Sequence, residues 1–195
     1  MHTTRKLLPL VLAFGLAGMA GGGVPTAGIA SAQVGTGGAR AFIKIAGIEG
    51  ESQDFMHQGE IDVESWSWGE TNAGSFGHGG GGGAGKVAMQ DFHFTMRYSK
   101  ASPKLFLACA SGQHLDSAVL TLRRGSEAPF EYLIVTMTDV LVTGYQTGGS
   151  GGDIPTDQVS LAFRTIQFDY MQQDASGGPG EHTTAGWDLG KNKSI

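Results

Sequence analysis

Alternating apolar and polar residues dominate the chain from residue 41 onward. Residues 91–98 read D-F-H-F-T-M-R-Y, in which every second side chain is apolar. This period of two is typical of a strand with one buried side and one solvent-facing side. Similar strand-like runs occupy segments 42–48, 61–68, 87–98, 118–123, 130–145 and 159–170, and a short last segment surrounds Trp187 and Leu189. The pattern predicts a mostly β fold.

Segment 159–170 contains a change of parity. Its apolar residues occupy odd positions up to Phe163 and even positions from Ile166 onward. The change predicts a bulge or a switch of the buried face near Arg164 and Thr165. Strands do this at the corners of barrels and sandwiches.

One short helix is predicted after the third strand-like run. Ser102 is expected to be its N-cap, with Pro103 at the first helical position. Gly112 is expected to end the helix, because glycine readily adopts the left-handed conformation of a C-cap. The predicted buried stripe consists of Leu105, Phe106, Ala108 and Cys109. The fold class is therefore mostly β, closed or sandwiched, with one helix.

The N-terminal segment has the pattern of a secretory signal peptide over residues 1–32. Two basic residues precede an apolar run at 7–20, and Ala30-Ser31-Ala32 fits a cleavage site that would leave Gln33 first. The alternatives are a retained membrane anchor or a misassigned start codon. We expect a flexible leader at 33–40, one domain at 41–195 and no membrane span after cleavage.

Composition excludes several classes of protein. The chain has 195 residues and a net charge of -5, which argues against nucleic-acid binding. Charged residues make up 16% and hydrophobic residues 40%, so a disordered chain is not expected. The 33 glycines lack a three-residue period, which excludes collagen. The single cysteine, Cys109, excludes an internal disulfide framework.

Two glycine tracts resemble ligand-binding motifs. Residues 80–86 read G-G-G-G-A-G-K, but Val87 replaces the Ser or Thr of a phosphate loop and a strand follows instead of a helix. Residues 148–153 read G-G-S-G-G-D, a single copy of a calcium-binding repeat that requires tandem copies. Both tracts are interpreted as loops.

No catalytic constellation is recognisable in the sequence. Four histidines are interpreted as lying in polar loops (His57, His78, His114 and His182), and His93 lies on the polar side of its strand. Cys109 lies on the apolar stripe of the helix, where a small buried side chain is expected rather than a nucleophile. We therefore expect no enzyme activity, no cofactor and no metal site.

Several motifs occur in an order that resembles the haemolysin-coregulated protein (Hcp) family of type VI secretion tube subunits. They are A-F-I-K-I at 41–45, G-E-S at 50–52, G-E-I-D-V at 59–63, S-W-S-W-G at 65–69, the glycine tract ending A-G-K-V at 79–87, Q-D-F at 90–92, S-P at 102–103, A-C-A-S-G at 108–112, E-Y-L-I at 131–134, T-G-G-S-G-G at 147–152 and G-W-D-L at 186–189. The resemblance covers residues 41–190, nearly all of the predicted mature chain.

The resemblance implies a fold, an assembly and a set of partners. Members of the family look like a small β-barrel of two antiparallel sheets with one short α-helix. They form homohexameric rings that stack into a hollow tube. The tube is enclosed by a sheath, bears a spike and carries small effector proteins. For this chain, the resemblance therefore implies a structural tube subunit.

The resemblance also implies a role for the long loop after Trp68. This segment corresponds to the family's protruding loop, which contacts the neighbouring ring. Its expected interaction residues are Trp68, Ser75, Phe76, His78, Gly85 and Lys86. The segment between Trp68 and Lys86 is far longer than an ordinary hairpin loop of ~2–5 residues, so we expect it to have a function. Ordering such a glycine-rich segment requires a partner surface.

The leader departs from the family pattern, because tube subunits pass through their own apparatus. The alternative function is therefore a Sec-exported binding module of the same fold that acts outside a type VI apparatus. The expected location is extracellular or periplasmic if the leader is used. If the start codon is misassigned, the location before export is cytoplasmic.

We expect the native protein to begin at Gln33, because Ala30-Ser31-Ala32 fits signal peptidase. N-terminal sequencing of protein from the source cells measures this. An intact Met1 terminus would contradict cleavage. A chain with an initiator methionine near Val34 would indicate a late translation start.

Overall fold

The structure is a computed structural model that describes residues 39–72, 87–125 and 129–195. The predicted signal peptide and the leader up to residue 38 lie outside the described residues. The leader's last residue, Arg40, begins the first strand. Within the described residues, no helix is long and apolar enough to cross a membrane.

The strands and the helix largely follow the predicted segments. In chain order they are β1 (Arg40–Ile45), β2 (Ile61–Val63), β3 (Ser65–Ser67), β4 (Glu70–Asn72), β5 (Val87–Met89), β6 (Phe92–Arg97), α1 (Ser102–Ser111), β7 (His114–Arg124), β8 (Phe130–Gly148), β9 (Thr156–Gln173), β10 (Pro179–Asp188) and β11 (Lys193–Ser194). The runs 61–68 and 87–98 are each divided into separate strands.

The described strands form one large sheet and one small one. The large sheet has nine strands, with the order β11-β10-β9-β8-β7-β1-β2 and with β3 and β6 as a branch. The small sheet consists of β4 and β5. All pairings between named strands are antiparallel, as expected of hairpin-connected strands.

The predicted barrel is not closed among the described strands, and the large sheet branches at β9. One edge of β9 pairs with β8, and the other is divided between β6 at residues 156–161 and β10 at residues 165–173. The strands β2 and β3 do not pair with each other; β2 pairs with β1 and β3 with β6. Glu64 lies between them, and its N–H donates to the Thr95 carbonyl at 2.9 Å.

The switch of the buried face near Arg164 and Thr165 is confirmed and extends across three strands. In each strand, two residues separate consecutive buried side chains, where regular alternation would leave one. The buried pairs are Leu115 and Ala118 in β7, Met137 and Val140 in β8, and Phe163 and Ile166 in β9. Their partners lie in matching rows of the sheet. All three strands therefore change their buried face at the same level.

The centre of this corner is Asp139 in β8. Its φ is +50°, in the left-handed region that few residues other than glycine adopt. The Asp139 carboxylate accepts a hydrogen bond from His114 at 2.7 Å if that ring nitrogen carries the proton. The hydroxyls of Thr138 and Thr165 lie 2.6 Å apart across β8 and β9. These side chains supply hydrogen bonds where the backbone departs from regular strand geometry.

The helix begins one residue earlier than predicted, with Ala101 as its N-cap and no side-chain cap. The Ser102 hydroxyl instead donates to Asp157 of β9, and both residues are buried. Burial, followed by the nearby Asp157 charge, raises the pKa of Tyr145 in β8. Gly112 ends the helix with a φ of +64°, as expected. These contacts fix the helix to β8 and β9.

The predicted buried stripe of the helix is correct for two of its four residues. Leu105 and Ala108 are buried, but Cys109 is half-buried and Phe106 is 57% exposed. The Phe106 ring meets Tyr145 edge-on, with 6.3 Å between ring centroids. The core cluster of the described residues consists mainly of β-strand residues, together with Leu105 and Ala108 of the helix.

The predicted last strand was confined to the residues around Trp187 and Leu189, which is wrong for β10. This strand begins at Pro179. Its residues 179–185 are exposed, so neither side shows the apolar alternation that identifies a half-buried strand. The strand is held by its backbone ladder to β9 instead.

A buried ion pair attaches the connection between β1 and β2 to the sheet. Arg123 of β7 donates through both terminal nitrogens to the Asp54 carboxylate, with 2.7 Å from Nη1 to Oδ1. Both residues are buried. Arg40 donates to the same carboxylate at 2.9 Å and to Asp62 at 2.8 Å. The Phe42 ring lies beneath the two guanidinium groups, at 4.7 Å from that of Arg40.

Burial alone would raise the pKa of Asp54. The hydrogen bonds from Arg123 and from the Met56 N–H, together with the charges of Arg123 and Arg40, outweigh burial and lower this pKa. Because the folded pKa lies below the unfolded one, the stabilisation is fully present above the unfolded pKa of about 4. It is lost as the pH falls through the lower, folded pKa.

Replacing Arg123 by methionine is expected to lower the free energy of unfolding by about 3–5 kcal/mol at neutral pH, because a buried carboxylate loses its main partner. The matched control is Arg97→Met, which removes an exposed pair with Glu64 and should cost about 0–1 kcal/mol. Urea unfolding measures both. The Arg123→Met deficit should shrink below pH 4, and equal losses in the two variants would contradict the assignment.

Candidate functional site

The long loop is carried by a two-stranded arm that extends from β3 and β6. Residues Ser65–Ser67 pair with His93–Thr95, and Glu70–Asn72 pair with Val87–Met89. Between the two ladders, the Gln90 N–H donates to the Gly69 carbonyl at 2.9 Å. The ends of the predicted loop are therefore strands, and residues 73–86 connect them.

A bulge separates the arm's base from its outer part. Ser67 pairs with His93 and Glu70 pairs with Met89, so two residues on one side oppose three on the other. The extra residue lies in segment 90–92. Bulges bend a strand pair and increase its local twist. This bulge allows β4 and β5 to form a small sheet separate from the large one.

The predicted ring-stacking residues lie mostly beyond the described part of the chain. Trp68 is described, at the junction between β3 and β4. The other predicted residues lie outside the described residues: Ser75, Phe76, His78, Gly85 and Lys86. Their interaction role stays a prediction. The structure does identify where the segment that carries them leaves the fold, between Asn72 and Val87.

Trp68 anchors the base of the arm. It is half-buried and packs against the core cluster. Its ring lies 5.2 Å from that of Phe168 in β9, with a tilt of 46°. Tilted aromatic pairs at this separation stabilise beyond their buried area by about 0.5–1.5 kcal/mol. Phe168 follows the corner of β9, so the corner positions the surface on which the arm rests.

A cavity of about 810 Å³ lies between the arm and the β9–β10 hairpin. Its apolar wall includes Trp68 and Met89 from the arm side and Ile166, Phe168 and Trp187 from the hairpin side. The sequence placed several of these residues in strands but gave no sign that the strands enclose a space. Contacts between residues about a hundred positions apart create it.

Titratable groups do not assemble into a metal site in the described residues. No group of three or more His, Cys, Asp or Glu side chains there is arranged to hold a metal ion. His93 shares a hydrogen bond of 2.8 Å with Ser160, on the exposed side of β6 and β9 as expected. The arrangement is suited to holding strands together and presenting a surface.

His57 was predicted to lie in a polar loop, but it is buried. Its ring stacks on Phe42 with 4.2 Å between centroids. Its two nitrogens lie 3.0 Å from a Glu60 oxygen and 3.4 Å from a Glu131 oxygen. The turn that ends at Gly59 folds back on the sheet and buries the ring. Local polarity could not reveal this, because both the stacking partner and Glu131 come from other strands.

Comparison with known proteins identifies the family. The family model described as "Type VI secretion system effector, Hcp" matches residues 42–170. The chain belongs to the Hcp family of type VI secretion proteins. It is 49% identical to protein hcp1 of Pseudomonas aeruginosa over 154 residues, which cover 77% of this chain and 95% of that protein.

Solved Hcp structures share the fold. The crystal structure of Hcp1 from Salmonella typhimurium is 35% identical in sequence to this chain, with a TM-score of 0.67. The match covers 81% of this chain and 99% of the Salmonella chain. A structure titled as a type six secretion system protein is 30% identical, with a TM-score of 0.75, covering 80% and 99%. The Hcp family is a structural family, and this chain is a tube subunit of type VI secretion.

Replacing Phe168 by alanine is expected to loosen the arm of this Hcp-family chain, because Trp68 loses its aromatic partner. Amide hydrogen exchange of Gln90, whose N–H bonds to Gly69, should become roughly tenfold faster, which corresponds to about 1.4 kcal/mol. The control is Phe106→Ala, which removes an exposed ring and should leave this amide unchanged. Unchanged exchange in Phe168→Ala would show that the ring pair does not hold the arm.

Proposed function

We propose that this chain forms hexameric rings that stack into a hollow tube, and that the arm joins one ring to the next. Family membership supports self-assembly, since the chain is an Hcp-family tube subunit. The arm is the observation that supports a separate role for residues 73–86 in stacking the rings. A paired, anchored ribbon leads away from the large sheet and carries the connection 73–86.

The arm's geometry suits an intermolecular contact. Its base is held by Trp68 on Phe168, while Glu70, Thr71 and Asn72 near its outer end are all exposed. A glycine-rich connection has few side chains to pack on its own fold, so its ordering requires a partner surface. The neighbouring ring supplies that surface in our proposal, with Phe76 and His78 as anchoring side chains and Ser75, Gly85 and Lys86 beside them.

The partners follow from the tube function. The spike, the sheath and small effector proteins are the partners that the Hcp resemblance implies. The tube would carry effectors in its lumen. The arrangement needs no chemistry from the subunit, so we propose no catalytic role. A Sec-exported binding module remains the second function class, and the mature N-terminus is the measurement that bears on it.

Deleting residues 75–83 is expected to leave rings intact and to abolish tubes, because the stacking segment is removed while the anchored base of the arm remains. Negative-stain imaging and light scattering on residues 33–195 measure both states. Loss of the rings themselves would contradict the proposal that this segment acts in stacking and not in ring formation.

Two matched variants distinguish the loop's length from its side chains. The double variant Phe76→Gly with His78→Gly keeps the length and should also lose tubes. Ser150→Gly, in the exposed turn between β8 and β9, should retain them. Tubes in the double variant would show that backbone contacts alone support stacking.

A further inference from the structure

The helix α1 has an apolar face on its solvent side, in addition to the face that it buries. The side chains of this face are exposed and follow the i, i+3, i+4, i+7 spacing of one side of a helix. They are Pro103, Phe106, Leu107 and Ala110, which we call the helix stripe. Tyr145 extends the stripe through its edge-on contact with Phe106. A surface helix normally directs polar side chains to solvent, and exposed apolar patches mark interaction sites.

A second exposed apolar group, Phe55 and Met56, lies on the connection between β1 and β2. We call this pair the knob. Phe55 is 75% exposed, whereas the residues on either side of the pair, Asp54 and His57, are buried. The Asp54 carboxylate accepts hydrogen bonds from Arg123 and from the Met56 N–H, and the Arg123 guanidinium lies 5.7 Å from the Phe55 ring centroid. Because both ends of the knob are anchored, a partner would bind it without having to order a loose segment.

The knob and the helix stripe lie near opposite ends of β8. Arg123, which holds the knob, pairs with Glu131 near the start of this strand, whereas Tyr145 lies near its end. A ring of identical subunits requires two unlike surfaces on each chain, because each copy presents one surface to the copy before it and the other to the copy after it. A twofold dimer would instead use one surface twice.

The charges beside the two surfaces are complementary. Segment 49–62, which carries the knob, contains five carboxylates and no Lys or Arg. Three Lys and Arg side chains from elsewhere pair with them, namely Arg40, Lys100 and Arg123, so negative charge remains in excess. Lys104, beside the stripe, is exposed and is the charged residue of the helix. The ion pairs of the described residues do not include it.

We infer that the knob of one copy packs against the helix stripe of the next copy around the ring. This inference rests on the proposed ring and names the two surfaces that close it. It concerns contacts within a ring, so it is separate from the arm, which acts between rings. Burial of apolar side chains favours the contact, and the opposite charges favour knob against stripe over knob against knob.

Thiol cross-linking of the purified full chain tests which surfaces meet. In a Cys109→Ser background, the double variant Met56→Cys with Leu107→Cys is treated with a short bifunctional maleimide and separated on a denaturing gel. It should give a covalent ladder that ends at the size of the ring. Each single variant should remain uncrosslinked, and co-expression of the two should give covalent dimers and nothing longer. Dimers from Met56→Cys alone would overturn the inference, because the knob would then meet a second knob.

Substitutions in the two surfaces test their contribution to ring stability. Phe55→Ser and Leu107→Ser should each raise the concentration at which half of the chains are in rings by about tenfold or more, as loss of a central interface side chain does. Met56→Ser should act in the same direction and leaves the contact between Phe55 and Arg123 in place. Light scattering over a dilution series measures this concentration, and circular dichroism verifies that each variant is folded.

Ile195→Ser is the matched control. Ile195 is exposed to a similar degree as Leu107, but it lies at the C-terminus against Gly186 of β10. Its replacement should leave the half-assembly concentration unchanged. Equal weakening by Ile195→Ser would show that any loss of exposed apolar surface destabilises the rings, which would overturn the assignment of these two surfaces.

The outcomes separate this inference from the proposed function. Rings that form in the unmodified chain but give no cross-linked ladder would overturn the inference and leave the proposed ring intact. The same holds for rings that persist unweakened in both Phe55→Ser and Leu107→Ser. An unmodified chain that stays monomeric would contradict the proposed ring and, with it, the contact that closes the ring.

Discussion

The corner shared by β7, β8 and β9 is the constraint on which the rest of the structure depends. Three paired strands change their buried face in the same rows, around Asp139 with its positive φ. A regular strand cannot do this, because its side chains alternate strictly. Beyond the corner β9 leaves β6 and pairs with β10. The strand β9 thereby contributes to the core, to the surface around Phe168 on which the arm rests, and to the hairpin that borders the cavity.

Ion pairs and hydrogen bonds between side chains hold the segments that are not paired in the sheets. The buried pair of Arg123 and Asp54 holds the connection after β1 against the sheet. The hydrogen bond from Ser102 to Asp157 holds the helix N-terminus to β9. The Asp54 carboxylate is buried with hydrogen bonds from Arg123 and Arg40, as a buried charge requires. The same fold leaves β4, at the outer end of the arm, exposed.

Much of the fold could be predicted from the sequence, since period-two patterning is local. Local sequence patterns predicted most strands, the helix that ends at Gly112, and the switch of the buried face near Arg164. They failed for β10, whose exposed residues show no alternation, and for Phe106, which helical spacing placed on the buried side. At the site, the motif order identified the family and Trp68 at the start of the long loop. It could not identify the cavity, whose walls are distant in sequence.

The sequence by itself determined the class of strands, the single helix and the family, because these depend on local periodicity and on motifs in order. Only the tertiary structure decided that the sheet branches instead of closing, that His57 is buried on Phe42, and that Trp68 and Trp187 border one cavity. The physical reason is the same in each case. A contact between strands depends on register and on where a strand bends, and both are set by partners that the local pattern does not specify.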